Sequence, residues 1–311
     1  MTHSAHRIAS IDIGTNSILL TVVQLDGGAI TTLSERSRIT RLGEGLNATG
    51  KLSDEPVRRS LEALREYLAE CQHYDVQEIL AVGTEVLRKA GNAETFLQAC
   101  AQMGLSVEVI SGEREAQLSY LSVVKDPVFA ERSACLTMLD VGGGSVEISR
   151  GCEGTLQTSR SYPIGAVRLT EAHLKADPPA PDEVYRLREA VQQHLQTETS
   201  LGDGEYLVGV GGTFVNLGCL HLRLPHHDPE RVHGDTLRLG EMRSLADMLC
   251  ALPLSERRNL PGIEPDRAPV LHAGALIAST AMECLKANEI AVSMRGLRWG
   301  LIYEYADAHR D

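Results

Sequence analysis

Two short stretches combine acids with small residues in a spacing that suits phosphate chemistry: IDIGTNS at 11–17 and DVGGGSVE at 140–147. Three adjacent glycines are costly in backbone entropy, so such a run needs a reason. A tight turn rich in Gly, Ser and Thr points several backbone N–H groups into one space, which makes a nest for an anion. The residues that would line the two nests are Gly14, Thr15, Asn16 and Ser17, and Gly142, Gly143, Gly144 and Ser145; Thr15, Ser17 and Ser145 add hydroxyl donors. A third glycine turn, GVGGT at 209–213, precedes a helix pattern and offers Gly211, Gly212 and Thr213 as another phosphate or nucleoside seat.

The acids sharpen the reading. Asp12, Asp140 and Glu147 would lie beside bound phosphate. Like charges about 4 Å apart repel by ~4 kcal/mol per pair at an effective dielectric of 20. A divalent cation reverses that sign, and hard oxygen donors next to phosphate suit Mg2+, with Mn2+ as the alternative. Turn capping accounts for an isolated aspartate; acids at matched places in two turns favour a metal–phosphate site.

The elements around these turns repeat. IASIDIG reads as a strand, TNS as a turn and ILLTVVQL as a second strand, and CLTMLDVGGGSVEISRG runs through the same sequence of elements. Asp12 matches Asp140, Gly14 matches Gly142 and Ser17 matches Ser145 at a constant offset of 128 residues. Between the copies, EPVRRSLEALREYLAECQ has helical apolar spacing, VQEILAVG is a buried strand, TEVLRKAG a short helix, and SGEREAQLSYLSVV a helix opened by Ser111 or Gly112. Strands alternating with helices imply an α/β fold. The helix breaks around Lys125, Asp126 and Pro127, so residues 1–127 and 128–311 are expected to form two domains, after a polar, frayed lead-in.

Composition narrows the partners. The chain has 311 residues and a net charge of -12, so it has no global basic field for nucleic acid or an anionic membrane. Aromatics are 4%, which leaves few platforms for stacking sugars or bases. No apolar stretch reaches the ~20 residues of a membrane helix; VLHAGALIASTAMECL comes nearest and reads as a buried soluble helix. Seven cysteines without a CxxC pair, and no signal peptide, are expected to be reduced thiols of a cytoplasmic protein. His221, His226, His227 and Asp228 lack helical metal-ligand spacing and are read as loop residues.

The connecting motifs resemble those of the exopolyphosphatase and guanosine pentaphosphate phosphohydrolase family: VGTEVLRKAGN, ISGEREAQLSY, YPIGAVRLTE, RVHGDTL and RGLRWGL, over residues 8 to about 303. The resemblance implies two ribonuclease-H-like domains of the actin, heat-shock and sugar-kinase superfamily, with the active site in the cleft between them. It implies hydrolysis of terminal phosphoanhydride bonds, in inorganic polyphosphate or alternatively guanosine pentaphosphate. It places the catalytic carboxylate at Glu115, with Glu113 as rival, a phosphate-binding arginine at Arg88, and metal-linked acids at Asp140 and Glu147. Arg267 and Arg298 are weaker candidates for the distal chain. A phosphotransferase or a nonenzymatic nucleotide sensor of the same superfamily is the further alternative, and a homodimer is left open. The chain departs from the family at Leu19, where a basic residue is frequent, and at Pro269 and Trp299, where acids are frequent.

Overall fold

The computed structural model describes residues 6–129 and 134–309, Asn47 by its backbone alone. The lead-in at 1–5 and residues 130–133, just past the expected division at 127/128, lie outside the described residues. The chain divides into two compact units: Met1–Ser122 together with Leu297–Asp311, and Val123–Gly296.

The first unit is built on β1 (His6–Ile13), β2 (Ser17–Asp26), β3 (Ala29–Ile39), β4 (Glu78–Gly83) and β5 (Glu108–Val109). They form one sheet in the order β3-β2-β1-β4-β5. The first three strands are antiparallel, and β4 and β5 run parallel to β1. β1 is largely buried on both faces because both faces are covered. On one side Ile11, Ile13 and Leu20 pack with Leu64, Tyr67 and Phe96. On the other, Ile8 and Val23 meet Trp299, Ile302 and Tyr303 of the last helix, Leu297–Ala308. That packing returns the C-terminal segment to the first unit and moves the division from 127/128 to 122/123.

The second unit contains β6 (Cys135–Val141), β7 (Val146–Cys152), β8 (Thr155–Tyr162), β9 (Tyr206–Val210), β10 (Thr236–Arg238) and β11 (Glu289–Ser293). Its sheet order is β10-β11-β9-β6-β7-β8. Read from β8, this is the first sheet again: three antiparallel strands, then two parallel ones, with β10 added as an antiparallel edge. The helix Ala268–Cys284 is buried along most of its length. No helix among the described residues is long and apolar enough to cross a membrane.

The expectation of uniformly reduced thiols fails. Cys135 and Cys152 are register partners at the open end of the β6–β7 hairpin and form a disulfide, their Cα atoms 4.0 Å apart. Cross-strand pairing brings them within bridging distance although they lie 17 positions apart in sequence. Cys71, Cys100, Cys219, Cys250 and Cys284 are free.

Candidate active site

In each unit the loop between the first two strands folds into the same turn. The Gly14 amide donates to Ser17 O at 3.0 Å, and the Gly142 amide to Ser145 O at 3.0 Å. The strands on either side hold the acids in register: Asp12 faces Leu19 across β1–β2, and Asp140 faces Glu147 across β6–β7. Leu19 and Glu147 are therefore equivalent positions, one apolar and one acidic.

The chain returning from the third strand grips each turn by its carbonyls. In the first unit Thr40 and Arg41 donate to Asn16 O, and Gly43 to Thr15 O. In the second, Ala166 donates to Gly142 O, and Val167 and Arg168 to Gly143 O. The Arg168 Nε adds a bond to Gly144 O at 3.0 Å. With the carbonyls held, the amides of Thr15 and Asn16, and of Gly143 and Gly144, make no backbone hydrogen bond to another described residue. They are the donors an anion nest needs. Gly165 packs so closely that a Cβ there would lie 2.4 Å from the Gly143 and Gly144 backbone. Gly165 and Arg168 are supports that the sequence reading did not identify, although YPIGAVRLTE contains both.

Asp12 and Glu115 share the first unit's site. Glu115 lies in the first turn of the helix Gly112–Val124, which Ser111 caps: its hydroxyl accepts from Arg114 N at 3.1 Å and its carbonyl from Glu115 N at 3.0 Å. Arg88, on the short helix Glu85–Lys89, donates through Nη1 to Glu115 Oε2 and to Ile110 O, both at 2.8 Å. Burial raises the Glu115 carboxyl above the usual range, and the Arg88 pair opposes the rise. Glu113 is exposed on the same helix. Asp12 Oδ1 is buried with no hydrogen-bond partner among the described residues. Burial, aided by the Glu115 charge and opposed by Arg298, pushes the Asp12 carboxyl up to about 7. Arg298 is itself anchored, Nη1 donating to Leu20 O at 2.7 Å.

The second unit gathers the remaining candidates. Ser161 Oγ donates to Glu147 Oε1 at 2.7 Å and orients that carboxylate. Gly211 has φ +88, and a Cβ there would stand 3.1 Å from Asp140 Oδ1, so the third glycine turn lies directly against that acid. The helix Gly212–His221 opens from this turn, and Arg267 lies over Gly212. Thr213 differs from expectation: its buried hydroxyl donates to Val141 O at 2.7 Å, tying the helix start to β6, so its side chain has no free proton for phosphate.

No group of three or more His, Cys, Asp or Glu side chains among the described residues is placed to hold a metal by itself. What is present is carboxylate oxygen: Asp12 with its orphaned Oδ1, and Asp140 opposite Glu147. In each unit such oxygens suit a hard cation that completes its shell with other oxygen ligands.

Duplicated glycine turns on an α/β scaffold of this order relate the chain to the actin, heat-shock and sugar-kinase superfamily. A model of the Ppx/GppA phosphatase family matches residues 21–309, and the chain belongs to that family of hydrolases. Exopolyphosphatase 1 of Mycobacterium tuberculosis is 29% identical over 311 residues, spanning 98% of this chain and 90% of its own. Exopolyphosphatase 2 of the same organism is 31% identical over 284 residues, spanning 87% and 88%. The crystal structure of the Aquifex aeolicus family member aligns with a TM-score of 0.85 at 34% identity, covering 99% of this chain and all of that one.

Proposed function

We propose that this protein is an exopolyphosphatase that releases terminal orthophosphate from inorganic polyphosphate, with Glu115 as the general base. The observation that carries the reading is Glu115 itself: a half-buried carboxylate, raised by burial, fixed by Arg88 and electrostatically coupled to Asp12. A carboxylate of raised proton affinity is a better acceptor for a proton from water. The water oxygen then bonds to the terminal phosphorus, the bond to the bridging oxygen breaks with its electron pair left on the shortened chain, and Glu115 keeps the proton. Arg88 suits the oxygens of the phosphoryl group under attack, since its planar fork has nitrogens beyond the one on Glu115. The two turns supply backbone N–H groups for phosphates, and Arg267 adds a cation at the third turn. Asp12 in the first unit, and Asp140 with Glu147 in the second, would offer carboxylate oxygens to Mg2+, which when bound offsets phosphate charge and polarises the phosphoryl oxygens. The arrangement both sheets share, three antiparallel strands followed by two parallel ones, supports reading both units as ribonuclease-H-like halves. The family's other activity, on guanosine pentaphosphate, is the second reading: Leu19 provides no charge for phosphate at the position equivalent to Glu147.

The test is phosphate release by the purified protein with Mg2+ and, separately, long-chain polyphosphate, guanosine pentaphosphate and ATP. Release from polyphosphate at the higher kcat/KM supports the proposal. Release confined to guanosine pentaphosphate replaces it with the second reading, and no release from any of the three refutes both.

A further inference from the structure

Arg267 does not reach the glycine turn by its own packing alone. A chain of polar contacts inside the second unit leads to it from the helix Gly212–His221. Asn216, fully buried, donates through Nδ2 to Gly212 O at 2.8 Å and to Glu264 Oε2 at 3.2 Å. Its Oδ1 accepts from Glu264 N at 2.8 Å. All three bonds agree on one orientation of the amide, so both the backbone and the carboxylate of Glu264 are fixed by a single side chain. Glu264 Oε2 then faces Arg267 Nε at 3.4 Å. The guanidinium ends over Gly212, where a Cβ would stand 2.5 Å from Nη2 and 2.7 Å from Cζ. Only a residue without a side chain allows that approach.

The chemistry of the chain is directional. Glu264 faces the inner nitrogen of Arg267 as an ion pair at 3.4 Å, and that nitrogen makes no hydrogen bond among the described residues, so the two terminal nitrogens remain as the fork that matches phosphate oxygens. An arginine held this way loses little further side-chain entropy on binding an anion. Resting on the phosphate reading given above, we propose that Asn216, acting through Glu264, is the positioning residue that sets Arg267 across the Gly211–Gly212 turn to bind a phosphate of the substrate. Neither Asn216 nor Glu264 touches the substrate in this scheme. Glu264 has a second effect: a carboxylate beside the cation weakens the field at the turn, so the site favours an anion that makes geometric contact with the fork over one attracted by charge alone.

The test is calorimetric titration of tripolyphosphate with Mg2+ into the full chain, alongside steady-state phosphate release. Arg267→Ala should weaken binding on the order of tenfold and raise KM, with kcat within about twofold. Gly212→Ala should reproduce much of that loss, because the new methyl displaces the guanidinium. Glu264→Ala and Asn216→Asp should each weaken binding roughly three- to tenfold, while Glu264→Gln, which keeps the shape, should recover most of it. The decisive comparison is the double variant: Asn216→Asp with Arg267→Ala should bind no worse than Arg267→Ala alone, since both lie on one chain. Multiplying losses would overturn the proposal, as would wild-type affinity in Glu264→Ala. If Asn216→Asp melts early, the Glu264→Ala and Arg267→Ala pair gives the same cycle from partly exposed positions. Arg267-dependent tripolyphosphate binding without phosphate release would leave the positioning role standing and refute the hydrolase. Wild-type protein that binds no tripolyphosphate would overturn the positioning role.

Discussion

Replacing Asp12 by asparagine should make the metal-free protein more stable above neutral pH, although it removes a residue from the heart of the site. The Asp12 carboxyl is raised from 3.8 to about 7, chiefly by burial, and its Oδ1 is without a hydrogen-bond partner among the described residues. A carboxyl raised in the folded state takes up a proton on folding between those two values. Its contribution is complete below about pH 4 and is lost as pH rises through 7. At ~1.4 kcal/mol for each tenfold in proton affinity, the loss reaches at most roughly 4 kcal/mol by pH 8. The neutral amide of the Asp12→Asn variant has no charge to bury and avoids that loss. The assay is urea unfolding of wild type and Asp12→Asn in chelator, from pH 4.5 to 8.5, with a parallel series in Mg2+. The wild type should lose stability relative to the variant as pH rises, and Mg2+ should narrow the gap at pH 8 by stabilising the wild type alone. A variant less stable than wild type at pH 8 without metal would refute the reasoning, because it would mean that the ionised Asp12 is already compensated by protein groups.

Three further outcomes follow from the geometry. Glu115→Gln should lower kcat on the order of 10²–10⁴-fold, whereas Glu113→Gln on the exposed side should leave it within about twofold; steady-state phosphate release separates them. Gly165→Ala must displace the backbone of Gly143 and Gly144, so it should cost about 1–3 kcal/mol in unfolding experiments and raise KM more than it lowers kcat. Alkylation of the unfolded, unreduced protein should label five cysteines, read by mass, and Cys135→Ser should cost about 3 kcal/mol through the lost closure of the hairpin.

The sequence made the centre of each sheet legible and hid its rim. β1, β2, β6 and β7 are apolar runs flanking glycine turns, and the constant 128-residue offset pointed to a structural repeat. β3 and β8 escaped because they are edge strands with mostly exposed polar residues, so hydrophobic alternation carries no signal there. The last helix was assigned to the wrong half: nothing local in GLRWGLIYEYADAH says that Trp299 and Ile302 pack on Ile8 and Val23. At the site, the acids and glycines could be named from their types and spacing. Their supports could not, because Gly165 on Gly143 and Asn216 on Glu264 are contacts across the fold. The Cys135–Cys152 pair was hidden for the same reason: strand register, not sequence spacing, brings the two sulfurs together.

Oxygen-isotope tracing gives the most direct test of Glu115-directed water attack on an end phosphorus. Polyphosphate hydrolysed by the protein in ¹⁸O-labelled water with Mg2+ should yield orthophosphate carrying one solvent oxygen and an unlabelled chain, with turnover lost in Glu115→Gln. Label in the remaining chain, or undiminished turnover in that variant, would contradict the account.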